Sequence, residues 1–166
     1  KPCPKPRRKW YNHALLAQLR ANGGLEMKFI CDAPQGKTWF RLETEVEATS
    51  ESTLLGHAVE KHFRRDWDRA ATTYKSASSV SFEQNIGLSA HVQREMALFL
   101  TLRNSEGKGL ATAMLPPNGK AKTGFRIIIV GENNSDPFVV HTDAIEALGR
   151  HFGLTLTRND CFPYGG

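Results

Sequence analysis

Ala97-Leu98-Phe99-Leu100-Thr101-Leu102, then Arg103-Asn104-Ser105-Glu106-Gly107-Lys108-Gly109, then Leu110-Ala111-Thr112-Ala113-Met114-Leu115 is the stretch that decides the fold. Two apolar runs flank a polar, glycine-bearing loop, which predicts a β-hairpin, and Pro116-Pro117 forbids a helix from continuing the second run. Hairpins recur to either side. Upstream, Leu25, Met27, Phe29 and Cys31 alternate with Glu26, Lys28 and Ile30, Asp32-Ala33-Pro34-Gln35-Gly36 supplies turn chemistry, and Trp39 to Val46 reads as the returning strand. Glu43, Glu45 and Glu47 then fall on the solvated outer face of that strand. Downstream, the β-branched run Phe125 to Gly131 suits a central strand, and Phe138 to His141 reads as its neighbour.

Helical periods separate these hairpins. From about Ser50, Leu55, Val59, Phe63, Trp67, Ala70 and Tyr74 recur three or four apart, which predicts one long helix ending near Lys75. Asn12 caps a brief helix that Gly23-Gly24 closes, and Thr142 caps a last one carrying Ile145, Leu148 and Phe152, closed by Gly153. Ser76 to Ser81 is a small-residue linker, Phe82 to Arg94 reads equally as extended or helical, and Leu154 to Thr157 suits a short final strand. With hairpins dominant and βαβ alternation absent, the expected class is α+β. A mainly antiparallel sheet built from hairpins carries a long central helix and a C-terminal helix packed on one face.

Length and charge bound the organisation. A chain of 166 residues supports one well-buried core, so the expectation is a flexible basic arm over 1–9, a single domain over 10–158 and a C-terminal tail over 159–166. Of the 22 Lys and Arg side chains, five (Lys1, Lys5, Arg7, Arg8 and Lys9) lie in that arm with no acid among them, which leaves 17 cations against 17 acids in the rest. An extended arm of that kind has affinity for polyanions and acidic surfaces. No apolar run approaches the roughly 20 residues of a membrane helix. Cys3, Cys31 and Cys161 form neither a disulfide framework nor a zinc motif, which favours a reducing cytoplasm.

The first functional reading is therefore a non-catalytic binding module that contacts nucleic acid or an acidic protein partner. Its contact residues are Lys5, Arg7, Arg8 and Lys9 of the arm, with Lys61, Arg64, Arg65 and Arg69 of the long helix, where Asp66 and Asp68 dilute the charge. His57 and His62 stand i,i+5 apart, a spacing that turns the two rings away from each other on a helix, so neither metal nor cofactor is expected. Trp39, Phe40, Phe63, Trp67 and Tyr74 form an apolar inventory large enough to serve either the core or a homodimer face.

An alternative reading comes from Glu106-Gly107-Lys108-Gly109-Leu110-Ala111-Thr112-Ala113-Met114-Leu115, which resembles the acyl-CoA-binding loop of the GNAT acetyltransferases. That resemblance implies an acyltransferase whose Gly107, Lys108 and Gly109 cradle the cofactor pyrophosphate at the start of a helix. Here Pro116 and Pro117 would end such a helix after about two turns. Asn104 stands where the family usually has Gln or Arg. The discriminator is local: a helix from Gly109 supports acyl transfer, and a strand there supports a plain hairpin.

Overall fold

The computed structural model describes residues 27–75 and 82–165. Five strands, β1 (Lys28–Ala33), β2 (Lys37–Arg41), β3 (Leu98–Arg103), β4 (Gly109–Leu115) and β5 (Ile128–Gly131), form one sheet in chain order. Every pairing is antiparallel. Four α-helices accompany it among the described residues: α1 (Glu45–Leu55), α2 (Val59–Lys75), α3 (Phe82–Glu95) and α4 (Thr142–Phe152). The molecule is thus an α+β protein with a hairpin-built antiparallel sheet. No described helix is long and apolar enough to cross a membrane.

Turn chemistry sets both expected hairpins. Between β1 and β2, Gln35 and Gly36 both take positive φ (65° and 74°), the backbone that a right-twisted hairpin prefers in a tight turn. Between β3 and β4, the Asn104 side-chain oxygen accepts from the Glu106 and Lys108 amides at 2.9 Å each, and Gly107 supplies a φ of 82°.

Elsewhere local hydrogen bonding overrides the apolar period. The strand expected to run to Val46 stops at Arg41, because Thr44 opens α1 with a capping box. Its hydroxyl accepts from the Glu47 amide at 3.1 Å, and the Glu47 carboxylate accepts from the Thr44 and Glu43 amides at 3.2 and 2.7 Å. Glu45 and Glu47 are therefore first-turn helical residues and not members of a strand face. The single long helix expected from Ser50 is two helices, since Gly56 adopts the left-handed conformation (φ 68°) and closes α1 through its amide to the Ser52 carbonyl. Ser52 then ties the joint, donating to the Glu60 carboxylate at 2.6 Å while accepting from the Glu60 amide at 3.1 Å.

Three more expectations change. Only Ile128–Gly131 of the Phe125 run is a strand, and it forms a sheet edge instead of the centre. Phe138 to His141 is a turn, started by Asp136 accepting the Phe138 amide and closed by the His141 amide on the Pro137 carbonyl. Thr142 is the first residue of α4 and His141 its cap, the Thr142 hydroxyl donating back to the Phe138 carbonyl. Leu154 to Thr157 forms no strand; Phe162 instead bridges Ile128 in parallel, its amide donating to the Ile127 carbonyl at 2.8 Å. Phe82–Glu95, open in the sequence, is α3. The arm over 1–9, the helix expected from Asn12 and the linker over 76–81 lie outside the described residues.

The helices cover both faces of the sheet, not one. On one face Phe40 and Phe99 pack with Ala48 of α1, Phe63 and Ala70 of α2, and Val92 of α3. On the other, Trp39, Leu98, Leu100, Leu102, Ala111 and Ala113 pack against Ala144, Ile145 and Leu148 of α4. The Trp39 indole N–H donates to the Ala144 carbonyl at 2.9 Å, which anchors α4 to β2. The reason is in β3, whose residues are all buried: a strand that is apolar on alternate positions and also carries Phe99 between them needs cover on both sides. Each large side chain so buried contributes ~1.5–3 kcal/mol.

Candidate functional site

A cavity of about 400 Å³ opens on the α1–α2 side of the sheet. β3, β4 and β5 supply an apolar floor of Phe99, Met114, Ile128 and Val130; the α1–α2 joint supplies His57 and, one turn on, His62; the segment before β5 supplies Arg126; and the C-terminal segment closes one wall with Phe162 and Pro163. The guanidinium of Arg126 lies 4.6 Å over the Phe162 ring. No Asp or Glu lines this space. Gly56 ends α1 in the left-handed conformation just before His57, whose ring reaches Thr112 of β4.

Behind the cavity runs a chain of buried polar groups. Arg103 of β3 donates to Glu51 of α1 at 2.5 Å, and both side chains are at most 2% exposed. The other Glu51 oxygen accepts from the Thr112 hydroxyl of β4 at 2.5 Å. His57 Nε2 lies 2.8 Å from the Thr112 oxygen, and the Val59 amide points at His57 Nδ1 from 3.4 Å. Because the Thr112 proton is directed to the carboxylate, the pattern assigns the imidazole proton to Nε2, which donates to Thr112, and leaves Nδ1 as an acceptor. Arg103 is completed by Thr101 at 3.0 Å and the Gly107 carbonyl at 3.2 Å. Burial pushes His57 below its ordinary value of 6.5, against the opposing pull of Glu51.

This chain fixes groups rather than activating them. The Thr112 oxygen both donates and accepts, and the Glu51 oxygens are each engaged, so no side chain here holds a nucleophile with a free base beside it. Both described thiols are held protonated: burial, then the adjacent carboxylate, raises Cys31 to about 11 and Cys161 to about 12, well above the range in which a thiolate is populated. Among the described residues no group of three or more His, Cys, Asp or Glu converges as metal ligands.

The residues expected to bind are distributed unevenly. Lys5, Arg7, Arg8 and Lys9 lie outside the described residues. Lys61, Arg64, Arg65 and Arg69 are exposed along α2, beside His62 at the cavity mouth. Arg64 pairs with Glu45 at 2.6 Å, and Arg69 pairs with Asp66 at 2.9 Å while also donating to the Glu95 carbonyl. Lys61 and Arg65 form no ion pair among the described residues. Gly107, Lys108 and Gly109 stand at the hairpin between β3 and β4, with Gly109 beginning a strand. The helix that the acetyltransferase resemblance implies is absent there, and the Gly107 and Lys108 amides are already used inside the turn, so the loop offers no cradle for a pyrophosphate. Trp39 is buried under α4, Phe40 and Phe63 are buried on the opposite face of the sheet with Trp67 half-buried against them, and Tyr74 is half-buried on α2.

Glu51, Thr112, Arg126 and Phe162 escaped the sequence reading. The signal for the first two is a polar residue inside an otherwise apolar alternation, as in Ala111-Thr112-Ala113, or on the inward side of a helix. Arg126 and Phe162 carry no such signal, since only the fold brings them together. No protein-family model, curated protein or solved structure matches this chain.

Proposed function

We propose that the chain is a non-catalytic binding module that engages nucleic acid through the basic segment Lys1–Lys9 and the exposed cations of α2. The observation that carries this reading is charge segregation: five cations without an acid in the first nine residues, beside a remainder that balances. Lys61 and Arg65, exposed and outside any ion pair among the described residues, extend that surface. Arg64 and Arg69 add to it, because exposed ion pairs of their kind are worth about 0–1 kcal/mol and exchange a carboxylate for a phosphate at little cost. The internal hydrogen bonds of Glu51, Arg103 and Thr112 support a scaffold role for the only buried ionic network among the described residues. The same reading has the protein act in the cytoplasm, with which the unpaired thiols Cys31 and Cys161 are compatible.

Electrophoretic mobility shift at two salt concentrations tests it, with the intact chain, a version beginning at Trp10, and Lys61→Glu/Arg65→Glu. Binding of the intact chain falls steeply with salt, the log–log slope being about −0.9 per phosphate neutralised, and both variants bind more weakly with a flatter slope. Absence of binding at low salt overturns the nucleic-acid reading. Competition by polyglutamate in place of nucleic acid would turn it toward an acidic protein surface, and light scattering on the same samples reads whether a second copy joins.

A further inference from the structure

We propose that the cavity between the α1–α2 joint, β4–β5 and the C-terminal segment is a binding site for an amphipathic carboxylate, a small molecule with an apolar chain or ring and one anionic head. Its volume of about 400 Å³ lies within the range of small-molecule sites, ~300–1,000 Å³. The floor of Phe99, Met114, Ile128 and Val130 matches an apolar body. Its interior polar groups do not compete for that body or call for a polar ligand, since Thr112 and the Nε2 of His57 satisfy each other and Glu51. The head therefore stays at the mouth.

Charge there selects the sign. Arg126 is the lining residue that is always cationic, exposed and held against the Phe162 ring, while the exposed His62 lines the cavity from α2. With no carboxylate in the lining, a cationic head meets only like charge, whereas a carboxylate meets a guanidinium fork suited to it. One such fork matches one carboxylate. The site is separate from Lys1–Lys9, and its test requires no nucleic acid.

Isothermal titration calorimetry of the full chain, with decanoate below its micellar concentration and decyltrimethylammonium as the charge-reversed probe, decides the matter. Decanoate binds at one site, and the ammonium probe binds more weakly by about tenfold or more. Arg126→Glu, a change at an exposed position, weakens decanoate by at least about tenfold, and Val130→Trp, which fills the floor, abolishes it. Thermal melting of each variant establishes that it is folded; if the tryptophan variant is not, Arg126→Glu and the charge-reversed probe still decide. No decanoate binding by the native chain overturns the proposal. Equal binding of the two probes, or indifference to Arg126→Glu, does so as well.

Discussion

The two faces of the central hairpin are built by opposite means. Toward α4, β3 and β4 present Leu98, Leu100, Leu102, Ala111, Ala113 and Leu115, and the partner helix answers with Ala144, Ile145 and Leu148. Toward α1, the same two strands set Thr101, Arg103 and Thr112 beside the apolar Phe99 and Met114, and the helix answers the polar three with Glu51. The first face needs only volume and shape, since apolar burial is non-directional. The second needs every partner at once. Removing one member leaves another desolvated and unpaired, so that face specifies geometry at a risk the apolar face does not run.

Breaking the polar face has the largest expected effect. Glu51→Leu strands the Arg103 guanidinium in the interior and costs about 3–5 kcal/mol by urea denaturation, whereas Glu51→Leu combined with Arg103→Met recovers most of that loss. If the double variant is no better than the single one, the charge pair is not what the face depends on. On the apolar face, Leu148→Ala leaves a cavity under α4 and costs about 3 kcal/mol, measured in the same way, with no rescue from a change on the other face. A loss under about 1 kcal/mol would show α4 to be loosely seated.

The smallest expected effect separates the faces by pH. Burial lowers His57 below 6.5, and at the α4 side burial, with Lys37 3.1 Å away, lowers His141 too. A histidine depressed in the folded state is neutral there while the unfolded chain already binds a proton. Its contribution is thus complete above 6.5 and is lost as pH falls from that value toward the lower folded one. Glu51 and Glu60 face His57 and oppose the shift without reversing its direction. Thermal melts from about pH 8 to about pH 5, which bracket the ordinary histidine value, should show the melting temperature falling by a few degrees. His57→Gln, whose amide reaches Thr112 but does not titrate, gives a shallower fall that His141 sustains. An unchanged slope would place the pH response elsewhere.

The apolar runs and polar loop over Ala97 to Leu115, the Pro34-Gln35-Gly36 turn and the Gly153 stop are consequences of chemistry within a few residues, and each was legible as hairpin, turn or helix end. The capping box Thr44-x-x-Glu47 and the Gly56 stop were equally local, yet the helical period from Leu55 to Tyr74 runs across Gly56 and conceals the break. Periodicity reports which residues are apolar, not whether the backbone between them is continuous. Tertiary structure alone decided the rest. Arg103 and Thr112 are polar residues that a strand pattern assigns to solvent, and they are buried only because Glu51, 52 residues from Arg103 and 61 from Thr112, arrives from α1 to pair with them. Likewise His57, Arg126 and Phe162 meet around one cavity because the sheet order and the Gly56 break bring distant segments together. Local hydrogen bonds and apolar periods are properties of neighbouring residues and can be read from their order. The burial of a charge depends on a partner that the chain supplies only once it has folded.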